Sequence, residues 1–241
     1  MRGTIVTLLL AAAVSLGTLP AEVDREPETL AYDIVDVKGK LLLEAEPEAR
    51  RLEIGDRAVS GDRLRTGWSS RAELEVASRA SRFLLGPRTR CTLAHDRPGV
   101  LLHVERGRLR AVFDAFTGEE PRLVTTPSAV LAVRGTEYGL WVAKDGDTHL
   151  VVFAGVVEVT DPAGTTPPVR VEAGHETRIV TGRAPEAPTE HRITPQDWDR
   201  GRTAPPPGIG DGFERSSPGS AIGSPGAGSP AGKGGSNRRG G

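Results

Sequence analysis

Residues 101–113 read LLHVERGRLRAVF and residues 150–160 read LVVFAGVVEVT, two short apolar runs each broken once by a glycine. Aligned on Gly107 and Gly155, Leu102 matches Leu150, Val104 matches Val152, Leu109 matches Val157 and Ala111 matches Val159. Alternation with a period of two marks strands, and a glycine inside such a run marks a turn or bulge. A looser copy, IVDVKGKLLLEA, surrounds Gly39, with Asp36 where the other two have valine. LLGPRTRCTL around Gly86 and VEAGHETRIV around Gly174 form a second recurrent pair, while Gly55-Asp56 and Gly61-Asp62 are Gly-Asp turns leading into short strands.

From Ala31 to about Val180, runs of Val, Leu, Ile and Thr are broken every eight to twelve residues or so by Gly, Pro or Asp,. No comparable stretch carries an apolar period of 3.6. The expectation is an all-β single domain of short strands, stacked in a twisted solenoid-like or sandwich-like way, over residues 31–182. Around it the composition changes. Residues 1–21 combine Arg2 with an apolar run from Ile5 to Leu19, too short to span a bilayer, and read as a secretory signal peptide,. The expected location is therefore periplasmic or secreted, with no stable membrane span after cleavage. Residues 183–202 read as a linker with one helical turn, since Thr194-Pro195-Gln196-Asp197 supplies a cap, a proline at the first position and an acid,. Trp198 could then fold back onto the β domain. Residues 203–241, rich in Gly, Pro and Ser, read as a disordered tail.

The chain has 241 residues, with 31 Lys+Arg against 32 Asp+Glu and a net charge of -1, so no bulk field recruits nucleic acid,. Gly 30 and Pro 19 together make about a fifth of the chain, well above the globular average,. Cys91 is the single cysteine, so the fold has no internal disulfide, and its apolar neighbours place it in a strand,. The five histidines, His95, His103, His149, His175 and His191, show no metal-ligating or triad spacing,. No nucleophile elbow or phosphate-cradling loop is present, and no enzyme, cofactor or metal site is expected. The exception considered is a pocket in which His149 or His175 meets a carboxylate.

The most distinctive stretch runs from Thr125 to Val159. A strand at Val130–Val133 meets a tight turn at Gly135, and Tyr138, Leu140 and Val142 alternate into a second strand. Lys144-Asp145-Gly146-Asp147 then returns the chain as a hairpin,. Arg134 and Glu137 flank the Gly135 turn, where they pair with each other, or Arg134 meets nearby carbonyls, or the two contact a partner.

These residues resemble the FecR domain family. AVRGTEY (132–138) looks like that family's signature, with Arg134, Gly135, Thr136, Glu137 and Tyr138 as the candidate interaction or structural residues. Similar too are V-x-x-G-x-V-x-V at 152–159, A-G-x-x-x-x-I at 173–179, and GDRLRTGWSSRAELEV at 61–76. Gly61, Asp62, Gly107, Gly155 and Gly174 are read as structural turns. The resemblance implies an extracytoplasmic β-rich module, in the prototype a regulator that senses an outer-membrane iron-siderophore transporter and controls a sigma factor. Where many members have D-G-S between two strands, this chain has Ser78-Arg79-Ala80-Ser81. With an export signal at the start and a low-complexity tail, direct sigma-factor control is not expected. The expected function is a non-catalytic binding or scaffolding module for an envelope protein, linked to envelope signalling. One alternative is a cell-wall glycan-binding module using Trp68, Trp141 and Tyr138 as a stacking surface. Another is a periplasmic regulator that reaches sigma-factor signalling through another protein.

Overall fold

A computed structural model describes residues 29–94, 98–115 and 122–201. The expected signal peptide at 1–21 and tail at 203–241 lie outside the described residues, as does His95. In chain order the strands are β1 (Ala31–Lys38), β2 (Leu41–Leu43), β3 (Arg50–Leu52), β4 (Arg57–Val59), β5 (Arg63–Thr66) and β6 (Arg71–Val76). Next come β7 (Ser81–Leu85), β8 (Arg90–Leu93), β9 (Val100–Phe113), β10 (Arg122–Thr125), β11 (Val130–Val133) and β12 (Glu137–Val142). The last are β13 (Thr148–Ala154), β14 (Val156–Thr160), β15 (Val169–Glu172), β16 (His175–Ile179) and β17 (Thr189–Glu190), followed by the helix α1 (Pro195–Asp199). The chain is all-β apart from α1 and a 3-10 turn at Ala77–Arg79. Among the described residues no helix is long and apolar enough to cross a membrane.

Hydrogen bonding joins the strands into one continuous network that runs as two ladders. The first has the order β4-β1-β6-β7-β9-β12-β13-β16-β17. The second has the order β3-β2-β5-β8-β9-β10-β11-β14-β15. Only β9 belongs to both, its first half in the second ladder and its second half in the first. The pairs are antiparallel except β9 with β10. Successive hairpins are laid down alternately in the two ladders, and the side chains of both meet in one apolar core that includes Ile34, Leu64, Leu74, Leu102, Leu140 and Val159.

The recurrent glycines stand where the chain passes from one ladder to the other. Gly39 lies between β1 and β2, Gly86 between β7 and β8, Gly107 inside β9, Gly155 between β13 and β14, and Gly174 between β15 and β16. Side chains of a strand alternate between faces, and at Gly39, Gly107 and Gly155 the parity that faces the core changes with the ladder, whereas at Gly86 (Phe83 and Leu85 before, Cys91 and Leu93 after) and Gly174 (Val171 before, Ile179 after) it stays odd. Ile34 is buried before Gly39 and Leu41 after it; Leu102 and Val104 precede Gly107, and Leu109 and Ala111 follow it; Leu150 and Val152 precede Gly155, and Val157 and Val159 follow it. At these three glycines even positions face inward before the glycine and odd ones after. The copy at Gly107 passes from the second ladder to the first, whereas those at Gly39 and Gly155 pass the other way.

At Gly107 the backbone itself requires glycine. Its φ is +107°, and a Cβ there would run into the Cα of Thr89, with Thr89 Oγ1 at 2.6 Å and Thr89 Cβ at 2.8 Å. At Gly61 the φ of +89° alone is the constraint, because nothing lies within 4 Å of a Cβ. Asp62 locks this second turn by accepting a hydrogen bond from the Val59 N–H at 2.9 Å,.

Candidate functional site

The stretch 134–138 forms the corner that carries the chain from β11 to β12. Thr136 O accepts from Phe113 N–H at 2.8 Å. A Cβ on Gly155 would sit 2.5 Å from Gly135 O and 3.1 Å from Thr136 Cα, so the two corners pack backbone against backbone. Thr136 and Tyr138 are buried. The Tyr138 ring stacks on Phe113, with centroids 5.9 Å apart and an interplanar angle of 10°. Its hydroxyl has no hydrogen-bond partner among the described residues, and burial pushes its pKa well above the ordinary tyrosine value,.

Glu137 does not pair with Arg134. Its Oε1 accepts from Arg110 Nη1 of β9 at 2.6 Å, because β9 and β12 are neighbours with Glu137 opposite Val112. Cross-strand reach therefore decides its partner, and the expected pairing within the turn gives way to Arg110. Arg134 and Gly135 are the exposed members of the corner. Nearby, the buried Arg122 donates to Asp114 O at 2.9 Å and Arg79 O at 3.2 Å, and its guanidinium lies 5.3 Å from the Phe113 ring centroid. Burial lowers the Arg122 pKa, the Asp114 carboxylate opposes that, and Arg134 adds to it. The corner thus displays one arginine close to a second that is built into the fold.

A second site lies on the outer face of the first ladder. There β12 and β13 lose their alternation: Tyr138, Leu140 and Val142 face the core, yet Gly139 and Trp141 are buried as well. The cover is the segment 189–201. It adds β17 to the edge of β16, continues to α1, and lowers Trp198 onto the sheet. Thr194 caps α1, its Oγ1 accepting from the Asp197 N–H at 3.1 Å,. Trp198 packs with Trp141, Val151, Phe153 and Ile193 as a small apolar cluster separate from the main core. A Cβ on Gly139 would lie 2.5 Å from the indole, so this glycine is the notch that receives the ring. The indole N–H donates to Leu109 O at 3.1 Å. Beneath it the guanidinium of Arg108 lies 4.5 Å from the Trp198 centroid and 5.7 Å from that of Trp141,. Burial brings Arg108 down to about 10, with the nearby Asp199 carboxylate opposing. Asp199 Oδ1 also lies 3.0 Å from Arg110 Nε, so Arg110 ties the covering segment to Glu137 of the corner.

His191 anchors the start of this cover. Its Nε2 is 3.0 Å from Val152 O, which can only accept, and its Nδ1 accepts from Ile193 N–H at 3.0 Å, so the proton sits on Nε2,. Close by, His149 Nε2 is 3.1 Å from Glu176 Oε2, and this hydrogen bond holds the Glu176 carboxyl below its usual value against partial burial. His149 thus meets a carboxylate, but His175 does not: its Nδ1 lies 3.3 Å from Ala173 O. Among the described residues no cluster of three or more His, Cys, Asp or Glu could hold a metal ion. The proposed aromatic stacking surface does not form, because Tyr138 is fully buried and Trp141 is 7% exposed, leaving Trp68 at 59%. Trp68 stands apart from both, under the guanidinium of Arg88 at 4.8 Å. Cys91 is buried and unpaired by any disulfide, and burial pushes its thiol pKa far upward.

Sequence reasoning missed Arg108, Arg110 and Gly139. A signal for the covered outer face that holds Gly139 was present in EYGLWV and HLVVF, which are apolar at both parities and so belong to strands covered on both faces; nothing in the sequence singled out Arg108 or Arg110,.

Residues 62–158 match the family model described as FecR protein. The match runs from the start of β5 into β14, a narrower span than the motif reading of 31–182. It contains the 134–138 corner and the floor under Trp198 but not the covering segment. Two crystal structures of a candidate anti-sigma factor from Parabacteroides distasonis, at 2.50 Å and 1.65 Å resolution, are similar at 14% identity with a TM-score of 0.42. Each comparison covers 53% of this chain and 59% of that chain, so the shared part is under two thirds of their length. No curated protein sequence matches the chain.

Proposed function

We propose, from the FecR domain that the chain carries at residues 62–158, that it is a non-catalytic binding module for an envelope protein in a signalling system. It is exported by residues 1–21 and works in the periplasm or outside the cell. Any effect on a sigma factor passes through that partner. The observation that supports this best is the build of the Arg134 corner. Thr136, Glu137 and Tyr138 are engaged in burial or in the ion pair with Arg110, which leaves Arg134 displayed on a backbone that cannot shift without disturbing Gly155. A charge held on a rigid support binds with little ordering cost, which suits recognition of an acidic patch on another protein.

The test is site-specific photocrosslinking of the full chain in cells, with the crosslinking residue at position 134 and, as the control, at the exposed Glu158 of β14. A discrete protein adduct at 134 that is absent at 158 is expected. Identical adducts at both positions, or none at 134, would remove this reading.

A further inference from the structure

The segment 189–201 is attached lightly to the face it covers. Its ladder contacts are two residue pairs, His175 with Glu190 and Glu176 with Thr189. Its helix has five residues, too few to persist without a support. Beyond these, its polar ties are the His191 N–H to Gly174 O at 2.9 Å, the His191 ring to Val152 O, the Trp198 hydrogen bond to Leu109 O and the Asp199–Arg110 ion pair, and its one buried apolar anchor is Trp198, in the cluster with Trp141, Val151 and Phe153 over Arg108. The face beneath is part of the long ladder and stands without it. Leu109, Gly139, Trp141, Val151 and Phe153 all belong to strands paired on both sides. Segments with few contacts open locally while the sheet stays folded.

The seat is also specific. A flat notch at Gly139 takes an indole, a backbone carbonyl takes its N–H, Arg108 lies against its π-face and Arg110 takes the carboxylate of the next residue. The seat lies wholly within the FecR match, whereas the segment filling it lies wholly outside. We infer that the outer face of β9, β12 and β13 is a peptide-binding site for a tryptophan followed by an acidic residue on a partner protein, and that residues 189–201 occupy it in cis as a built-in competitor. The inference rests on the binding-module reading but places a second contact away from Arg134. A tethered occupant competes at an effective concentration in the millimolar range, so the partner's segment enters only when it binds more tightly or is itself held close.

The test uses the full chain and a fluorescein-labelled peptide of residues 189–201, TEHRITPQDWDRG, followed by fluorescence anisotropy. Trp198→Ala empties the notch and is expected to bind the peptide saturably and at least tenfold more tightly than the wild-type chain. Asp199→Arg, an exposed change that loosens the strap without touching the core, is expected to show the same gain to a smaller degree, and decides the matter if Trp198→Ala fails to fold. Gly139→Ala fills the notch and is expected to abolish binding, as is a peptide with alanine at the tryptophan. No saturable binding by either opened variant, or binding that survives Gly139→Ala, overturns the inference. Because the probe is the chain's own segment, the outcome does not depend on whether position 134 crosslinks to anything, and either reading can fail alone.

Discussion

Replacing Gly107 with alanine tests the central geometric claim, that β9 passes between ladders through a point where no side chain fits. Gly107→Ala and Gly61→Ala both place an L-residue at positive φ, +107° and +89°, which costs about 1–2 kcal/mol and is eased equally in both by the lower chain entropy of alanine when unfolded. The two differ in space. Nothing lies within 4 Å of a Cβ at Gly61, while at Gly107 the new atom meets the backbone of Thr89. Thr89 cannot step aside cheaply. Its Oγ1 accepts from Arg108 N–H at 3.0 Å and its own N–H donates to Thr66 Oγ1 at 2.9 Å, inside the core. Overpacking of this kind costs about 1–3 kcal/mol, so Gly107→Ala is expected to be less stable than Gly61→Ala by about 2 kcal/mol. For a domain of this size that is a difference of about 5 °C in Tm. Urea and thermal unfolding followed by far-UV circular dichroism on the three chains side by side provide the measurement. If the two variants fall within about 0.5 kcal/mol of each other, Gly107 is not a close-approach position and the passage of β9 between ladders is wrongly placed.

Three further outcomes are expected. Ala80 holds a φ of +46° at the end of the 3-10 turn, a backbone region that favours glycine, so Ala80→Gly should gain about 0.5–1 kcal/mol in urea unfolding. Tyr138→Phe removes a buried hydroxyl without a partner among the described residues and should leave stability unchanged or raise it by about 1 kcal/mol; a loss of more than that would show that the hydroxyl is bonded. Glu176 is held below its unfolded value, about 4.3, by the hydrogen bond from His149. Its contribution is therefore present above that pH and lost as pH falls through the lower folded value. Denaturant midpoints between pH 6 and pH 3 should fall less steeply for Glu176→Gln than for the wild type.

Most of the fold could be read from glycine-centred apolar runs, because a strand buried on one face writes its period directly into the sequence. At Gly39, Gly107 and Gly155 a change of parity, Leu102 and Val104 to Leu109 and Ala111 for instance, accompanies the change of ladder, whereas at Gly86 and Gly174 the ladder changes with no such mark in the sequence. What could not be read was pairing. Arg110 and Glu137 are 27 positions apart, and only the alignment of β9 with β12 makes them partners. The same holds for the Trp198 indole and Leu109 O, 89 positions apart. Trp198 could be suspected of folding back, but its seat at Gly139 depends on a register that a single sequence does not state.

The division of labour within the corner follows from that register. In a turn read alone, Arg134 and Glu137 look equivalent, two charges flanking a glycine. Once β12 lies beside β9, Glu137 is drawn to Arg110 and Arg110 to Asp199, so the acid becomes one end of a chain of ion pairs that runs to the covering segment. Arg134 is left on the surface with like charge near it. The two candidate surfaces are therefore connected through one side chain: pulling Asp199 away from Arg110 leaves Glu137 as the acidic partner of that guanidinium among the described residues. A partner that displaces residues 189–201 would change the electrostatic setting of the 134–138 corner without touching it. Arg110 is accordingly the residue through which binding at one surface would be felt at the other, and Arg110→Met, which keeps the stem over the sheet but removes both ion pairs, is the substitution that would uncouple them.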